Sequence, residues 1–128
     1  MSEMTLTEAG TQISALPAWR LRRTMVYVDE NLQRQLRLSE LSAAVHMSPF
    51  HFARLFKSST GVSPHRFVMR RRIDEARARL ATQTVTVAEI ARSLGFRTPS
   101  HFASTFRRMT GMTPTEYRTS VSPGRQAG

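Results

Sequence analysis

The chain has 128 residues, a formal net charge of +10 and no cysteine. That length suits one ordinary domain or two very small helical lobes, and the missing thiol excludes a disulfide scaffold, a Cys nucleophile and a Cys-based zinc site. No apolar run approaches membrane-spanning length, and the start lacks the basic-then-apolar pattern of a signal peptide.

The positive charge comes from eighteen Arg and Lys57, and all of it except Arg125 lies between Arg20 and Arg118. A small domain with that surplus should bind polyanions. An anionic membrane surface fits less well, because no helix sets a Trp/Leu face against a Lys/Arg face.

Residues 1–17 are polar and aperiodic, which predicts a disordered tail. Pro17 then introduces a helix over 18–32 with Leu21, Met25, Val28 and Leu32 on one stripe and Trp19 as a packing residue. Ser39 is expected to cap a short helix carrying Leu41, Ala44 and Val45. His46 must turn the corner in a left-handed conformation. Ser48 caps the next helix, Pro49 takes its first position, and Phe52 and Phe56 face inward.

Gly61 stops that helix, and Ser63-Pro64 opens a long one over 64–81. Its expected inner stripe is Met69, Ile73, Ala76 and Leu80, with Arg70, Arg71, Arg72, Arg77 and Arg79 on other faces. Glu75 is placed to pair with Arg71 and Arg79. At 1.5 Å per residue such a helix spans roughly 27 Å, against about 34 Å between successive major-groove faces of B-DNA.

Thr86 and Glu89 form a capping box for a helix with Ile90, Ala91 and Leu94 inward, ended by Gly95. Thr98 caps, and Pro99 opens, a helix with Phe102, Phe106 and Met109 on its inner face; Ser100, Ser104, Arg107 and Arg108 lie opposite. Gly111 stops it. A second capping box, Thr113 and Glu116, starts a last short helix with Tyr117 inward, and residues 120–128 are expected to form a loose tail.

The chain repeats itself. Pro49/Pro99, His51/His101, Phe52/Phe102, Ala53/Ala103, Phe56/Phe106, Thr60/Thr110, Gly61/Gly111 and Pro64/Pro114 match at a spacing of fifty, the signature of a duplication. Glu40/Glu89 are separated by forty-nine, so the second turn is one residue longer than the first. Two short helices joined by a tight turn, the second with a polar outer face, form a helix-turn-helix pattern. Here it occurs twice.

Phe52-x-x-x-Phe56-Lys57 with Thr60-Gly61-x-Ser63-Pro64, then Val87-Ala-Glu-Ile-Ala91, Leu94-Gly95-Phe96 and Phe102-x-x-x-Phe106-Arg107 through Thr113-Pro-x-Glu-Tyr-Arg118, resemble the DNA-binding domain of AraC/XylS-type transcription regulators. The resemblance covers about residues 18–118. It implies an all-α fold of about seven helices in two helix-turn-helix lobes, 18–63 and 82–119, bridged by the helix 64–81. It also implies recognition helices in adjacent major grooves on one DNA face, with reading heads at 48–58 and 98–109.

The positions carried over are Phe50, Ala53, Arg54 and Lys57 in the first head and Arg97, Ser100, His101, Ser104, Arg107 and Arg108 around the second. The fork of Arg54 matches guanine O6 and N7. Phe50, on the outer face, is suited to a thymine methyl or a sugar. Lys57, Arg107 and Arg108 suit phosphates. Ser100 and Ser104 are short for base readout, so phosphate anchoring and DNA shape should dominate in the second head.

Catalysis is not expected, since no base–nucleophile pair and no Gly-rich phosphate loop occur. The alkyl-acceptor chemistry that sometimes accompanies such domains needs a thiol. His51 and His101 occupy equivalent positions in the two copies, and His46 and His65 are not at ligand spacing with any carboxylate, so no metal or cofactor is expected. The expected function is a sequence-specific DNA-binding transcription regulator, cytoplasmic, monomeric on double-stranded DNA, with RNA polymerase as a further partner. The alternative is the DNA-binding fragment of a larger ligand-sensing regulator, with residues 1–16 as the remnant of a linker.

Overall fold

In the computed structural model, residues 15–121 are described, and they form seven α-helices with no strand among them. These are α1 (Ala18–Glu30), α2 (Leu38–Ala44), α3 (Pro49–Thr60), α4 (Pro64–Thr82), α5 (Val87–Ser93), α6 (Pro99–Thr110) and α7 (Pro114–Val121). The all-α architecture that the resemblance implied is the one observed among the described residues.

The chain divides into two compact units. One takes the described residues through Asn31 together with Leu36–Val68; the other takes Leu32–Gln35 and the described residues from Met69 onward. The α1–α2 connection therefore supplies part of the second unit's core, including buried Leu32.

In the first unit α1 packs on α2 and α2 on α3, burying Val28, Leu41, Val45, Phe52, Leu55, Phe56 and Val68. Phe56 meets Phe67 edge-on, with ring centroids 5.3 Å apart. Each such side chain withdrawn from water contributes about 1.5–3 kcal/mol. Most of the polar tail expected before α1 lies outside the described residues. Its last part does not behave as a tail: Leu16 is 7% exposed, and its N–H donates to Ser59 Oγ at 2.7 Å.

In the second unit α5 packs on α6 and α6 on α7. The core is Leu32, Ile73, Ala76, Leu80, Ile90, Ala91, Leu94, Phe96, Phe102 and Phe106. Phe96, Phe102, Phe106 and Tyr117 form a chain of rings with successive centroids 5.1, 5.7 and 5.6 Å apart. The tail expected from residue 120 falls outside the described residues except at its start, where α7 continues to Val121.

Three local expectations change. α2 begins one residue before Ser39, with Arg37 in the extended N-cap conformation and its carbonyl accepting from the Glu40 and Leu41 N–H groups. On α4 the buried apolar residue of the first turns is Val68, and Met69 is half-buried. Arg72 is not on an outer face at all: it is 3% exposed, and its Nη2 donates to the Arg34 carbonyl at 2.5 Å. Burial pushes its pKa below the ordinary arginine value. Arg118 is similarly drawn inward, its Nε donating to the Leu80 carbonyl at 3.3 Å and its Nη2 to the Gln83 carbonyl at 3.1 Å. These bonds satisfy acceptors at the C-terminal end of α4 with a cation, where the helix dipole favours one.

Candidate nucleic-acid interface

The two candidate reading helices are built by the same local chemistry. The Ser48 and Thr98 hydroxyls accept from the His51 and His101 N–H groups at 3.4 and 3.0 Å. Pro49 and Pro99 occupy the first turns, where a missing N–H loses no bond. Gly61 and Gly111 end both helices at φ 85°, each donating back to the carbonyl four residues earlier, at Lys57 and Arg107. The Thr60 and Thr110 hydroxyls donate to the Phe56 and Phe106 carbonyls and accept from the Val62 and Met112 N–H groups.

Burial repeats position by position. Phe52, Leu55 and Phe56 in α3 correspond to Phe102, Thr105 and Phe106 in α6, all buried; every other position from 49 to 61 has the exposure class of its partner fifty residues later. What remains outside is the candidate reading surface. On α3 this is Phe50, His51, Arg54, Lys57 and Ser58, with Ala53 half-buried; on α6 it is Ser100, His101, Ser104, Arg107 and Arg108.

The corners before these helices differ by one residue. His46 and Gly95 both have positive φ, 60° and 80°, and their N–H groups donate to the Ala43 and Arg92 carbonyls. Met47 and Phe96 then donate to Ser42 and Ala91. The pattern stays in step through Phe96, so the additional residue of the second turn is Arg97. It is exposed, immediately ahead of the Thr98 cap.

In the first unit Phe50, Ala53, Arg54 and Lys57 line one open groove of about 520 Å³ together with Ser58, Ser63 and Pro64. This brings all four expected residues of the first head together; Ser58, Ser63 and Pro64 join them through the turn into α4. On α6 the Ser104 hydroxyl donates to its own helix, at the His101 carbonyl, 3.2 Å away. The His101 ring stands edge-on to Phe96 with centroids 5.4 Å apart, so its position is set by the core behind it.

The carboxylates of α4 engage neighbours on their own helix. Glu75 pairs with Arg79 at 3.1 Å, as expected, and Arg71 and Arg77 reach Asp74 at 3.5 and 3.8 Å. By contrast Arg54, Lys57, Arg97, Arg107 and Arg108 have no ion-pair partner among the described residues. Their charge is uncompensated on the two exposed helix faces and, at Arg97, in the turn ahead of α6. Among the described residues no cluster of His, Asp and Glu could hold a metal ion, and no helix is long and apolar enough to cross a membrane.

Comparison with known proteins accounts for this duplicated geometry. A family model described as a helix-turn-helix domain matches residues 41–120. The chain belongs to the AraC/XylS-type transcription regulators. It is 36% identical over 92 residues to the probable transcriptional regulator LumQ of Photobacterium leiognathi, covering 72% of this chain and 37% of LumQ.

Among solved structures, the DNA-binding domain of AdpA in complex with a target DNA superposes with a TM-score of 0.77 at 32% identity, covering 84% of this chain and 97% of that one. An AraC-type regulator from Chromobacterium violaceum gives a TM-score of 0.77 at 26% identity, covering 88% and 96%. The chain spans about a third of the length of the curated relatives it matches, 37% for LumQ and 34% for the regulatory protein PocR of Salmonella typhimurium.

Proposed function

We propose that this AraC/XylS-type domain binds specific double-stranded DNA through α3 and α6, each laid in a major groove, and regulates transcription from the bound site. The single observation that carries this reading is the repeated exposure pattern: two homologous helices bury the same positions and leave basic and polar side chains outside. The solved complex of the AdpA domain with its target DNA supports the choice of duplex DNA as the polyanion.

The roles follow from reach and chemistry. Arg54 presents two N–H groups to guanine O6 and N7, a contact that discriminates by about 1–3 kcal/mol. Lys57, Arg107 and Arg108, in the last turns of their helices, hold phosphates, as does Arg97 in the turn. Phosphate contacts fix register without reading sequence. Ser100, His101 and Ser104 lie at the front of the second head, where short side chains permit close approach of the backbone to the duplex. Ala53 supplies the small flat wall between Phe50 and Lys57.

Two covalently joined heads allow the chain to act as a monomer on an asymmetric site of about two helical turns. Activation by recruiting RNA polymerase, in the cytoplasm, completes this reading. A second reading is supported by the length of the relatives, of which this chain matches about a third: the domain then serves as the DNA-targeting part of a larger, ligand-sensing regulator.

Selection from randomised duplexes, followed by mobility-shift titration at several salt concentrations, tests the DNA reading. An enriched asymmetric motif is expected, with log K falling by about 0.9 for each phosphate neutralised per decade of salt. Failure of any motif to enrich would overturn sequence-specific binding.

A further inference from the structure

Phe50 is the anomaly of the first head. Its side chain is 77% exposed, more than any other large apolar residue described, in a chain whose other α3 phenylalanines, Phe52 and Phe56, are fully buried. Leaving a phenyl ring in water forgoes the roughly 1.5–3 kcal/mol its burial would contribute. The fold does not require it: the corresponding position of α6 is Ser100, also exposed and likewise the second residue of a Pro-started, hydroxyl-capped helix.

Phe50 is the second residue of α3, in the first turn, and the N-terminal end of a recognition helix is the part that meets base edges. Ala53 and Arg54 follow at i+3 and i+4, hence on the same face about 5–6 Å away, and line the same groove. The surface offered is therefore an apolar ring and a methyl beside one guanidinium. The major groove carries one apolar group, the C5 methyl of thymine, which 5-methylcytosine shares; elsewhere base edges present donors and acceptors. A phenyl ring gains nothing from those, whereas covering a methyl removes apolar area from water on both sides.

We propose that Phe50 makes the first head a reader of a pyrimidine 5-methyl group, within one or two base steps of the guanine contacted by Arg54. The second head, with serine in that place, is indifferent to the methyl. This rests on the assignment of α3 as a DNA-reading helix.

The test uses the duplex selected above, with each thymine in turn replaced by deoxyuridine, which removes only the methyl. Binding should weaken about fourfold at one position in the half-site of the first head, the value of one buried methyl-sized group, and stay unchanged throughout the other half-site. At that same position 5-methylcytosine should bind about fourfold better than cytosine. Phe50→Ser, the residue found at position 100, should abolish both differences with an unchanged melting temperature, and Phe50→Leu should keep them.

Equal binding of thymine and deoxyuridine duplexes at every position overturns the proposal while leaving DNA reading intact. So does a Phe50→Ser protein that still senses the methyl. If no duplex is preferred at all, the DNA-reading assignment and this proposal fall together.

Discussion

The guanidinium of Arg72 lies hard against the position where a side chain at Gly95 would begin. A Cβ placed on Gly95 would lie 3.1 Å from Arg72 Nη2 and 3.0 Å from the Leu32 carbonyl oxygen, on a backbone held at φ +80°. The Gly95 carbonyl meanwhile accepts from Gln35 Nε2 at 2.9 Å. The second corner is thus closed by the segment 32–35 on one side and by a buried arginine from α4 on the other.

Gly95→Ala should therefore destabilise the second unit, through both the left-handed backbone and the crowding, by about 2–4 kcal/mol. Denaturant unfolding followed by circular dichroism measures it; a change under 0.5 kcal/mol would show that the corner relaxes freely.

The first corner makes the opposite prediction. His46 holds the same conformation, at φ 60°, with an exposed side chain and a Cβ that the left-handed region disfavours. His46→Gly should stabilise by about 0.5–1 kcal/mol, the relief of backbone strain exceeding the added entropy of the unfolded glycine. The same unfolding measurement reads the sign directly.

Thr105 is 1% exposed, and its Oγ1 has no hydrogen-bond partner among the described residues. Its counterpart in α3 is Leu55. A buried hydroxyl left unpaired costs about 1–3 kcal/mol, so Thr105→Val, which keeps the shape, should stabilise the second unit by about 1 kcal/mol. A lower melting temperature for the variant would mean that the hydroxyl is satisfied in solution.

Arg54 and Lys57 sit three residues apart on one exposed face, yet their removal should look different. Arg54→Ala should relax base preference at one position by about 1–3 kcal/mol. Lys57→Ala should weaken binding evenly across sequences and lower the salt slope by about 0.9. The double change Arg107→Ala with Arg108→Ala should lower that slope by about 1.8. Titrations at three salt concentrations on the preferred duplex and on one with the guanine replaced separate these outcomes.

Much of the architecture is legible along the chain because it is made by contacts four residues or fewer apart. The caps at Ser48, Thr86, Thr98 and Thr113, the stops at Gly61 and Gly111, and the bend at His46 all depend on a side chain or a φ angle acting on its own neighbourhood. The duplication made the candidate surface legible too, since two copies with a common inner stripe expose common outer positions.

The residues misjudged are those whose partners are distant. Arg72 reads as an outer-face residue and nothing along the chain assigns Arg118 an inward role, yet both turn inward, donating to main-chain carbonyls at Arg34, Leu80 and Gln83. No periodicity announces where such acceptors will fall. Thr105 escaped notice because a polar residue at i+3 from Phe102 interrupts an apolar stripe that the backbone nonetheless continues.

The sequence by itself determined seven helices, the caps and stops of the two homologous ones, and their inner stripes and outer faces, since these follow from short-range sterics and the 3.6-residue period. Its pattern runs the first helix to residue 32, whereas α1 stops at Glu30. Only the tertiary structure decided that Leu32–Gln35 belongs with the second unit, that two of the arginines are internal, and that Trp19, expected to pack, is 47% exposed. Those outcomes depend on which distant backbone groups and surfaces come together, and they become fixed only when the helices pack.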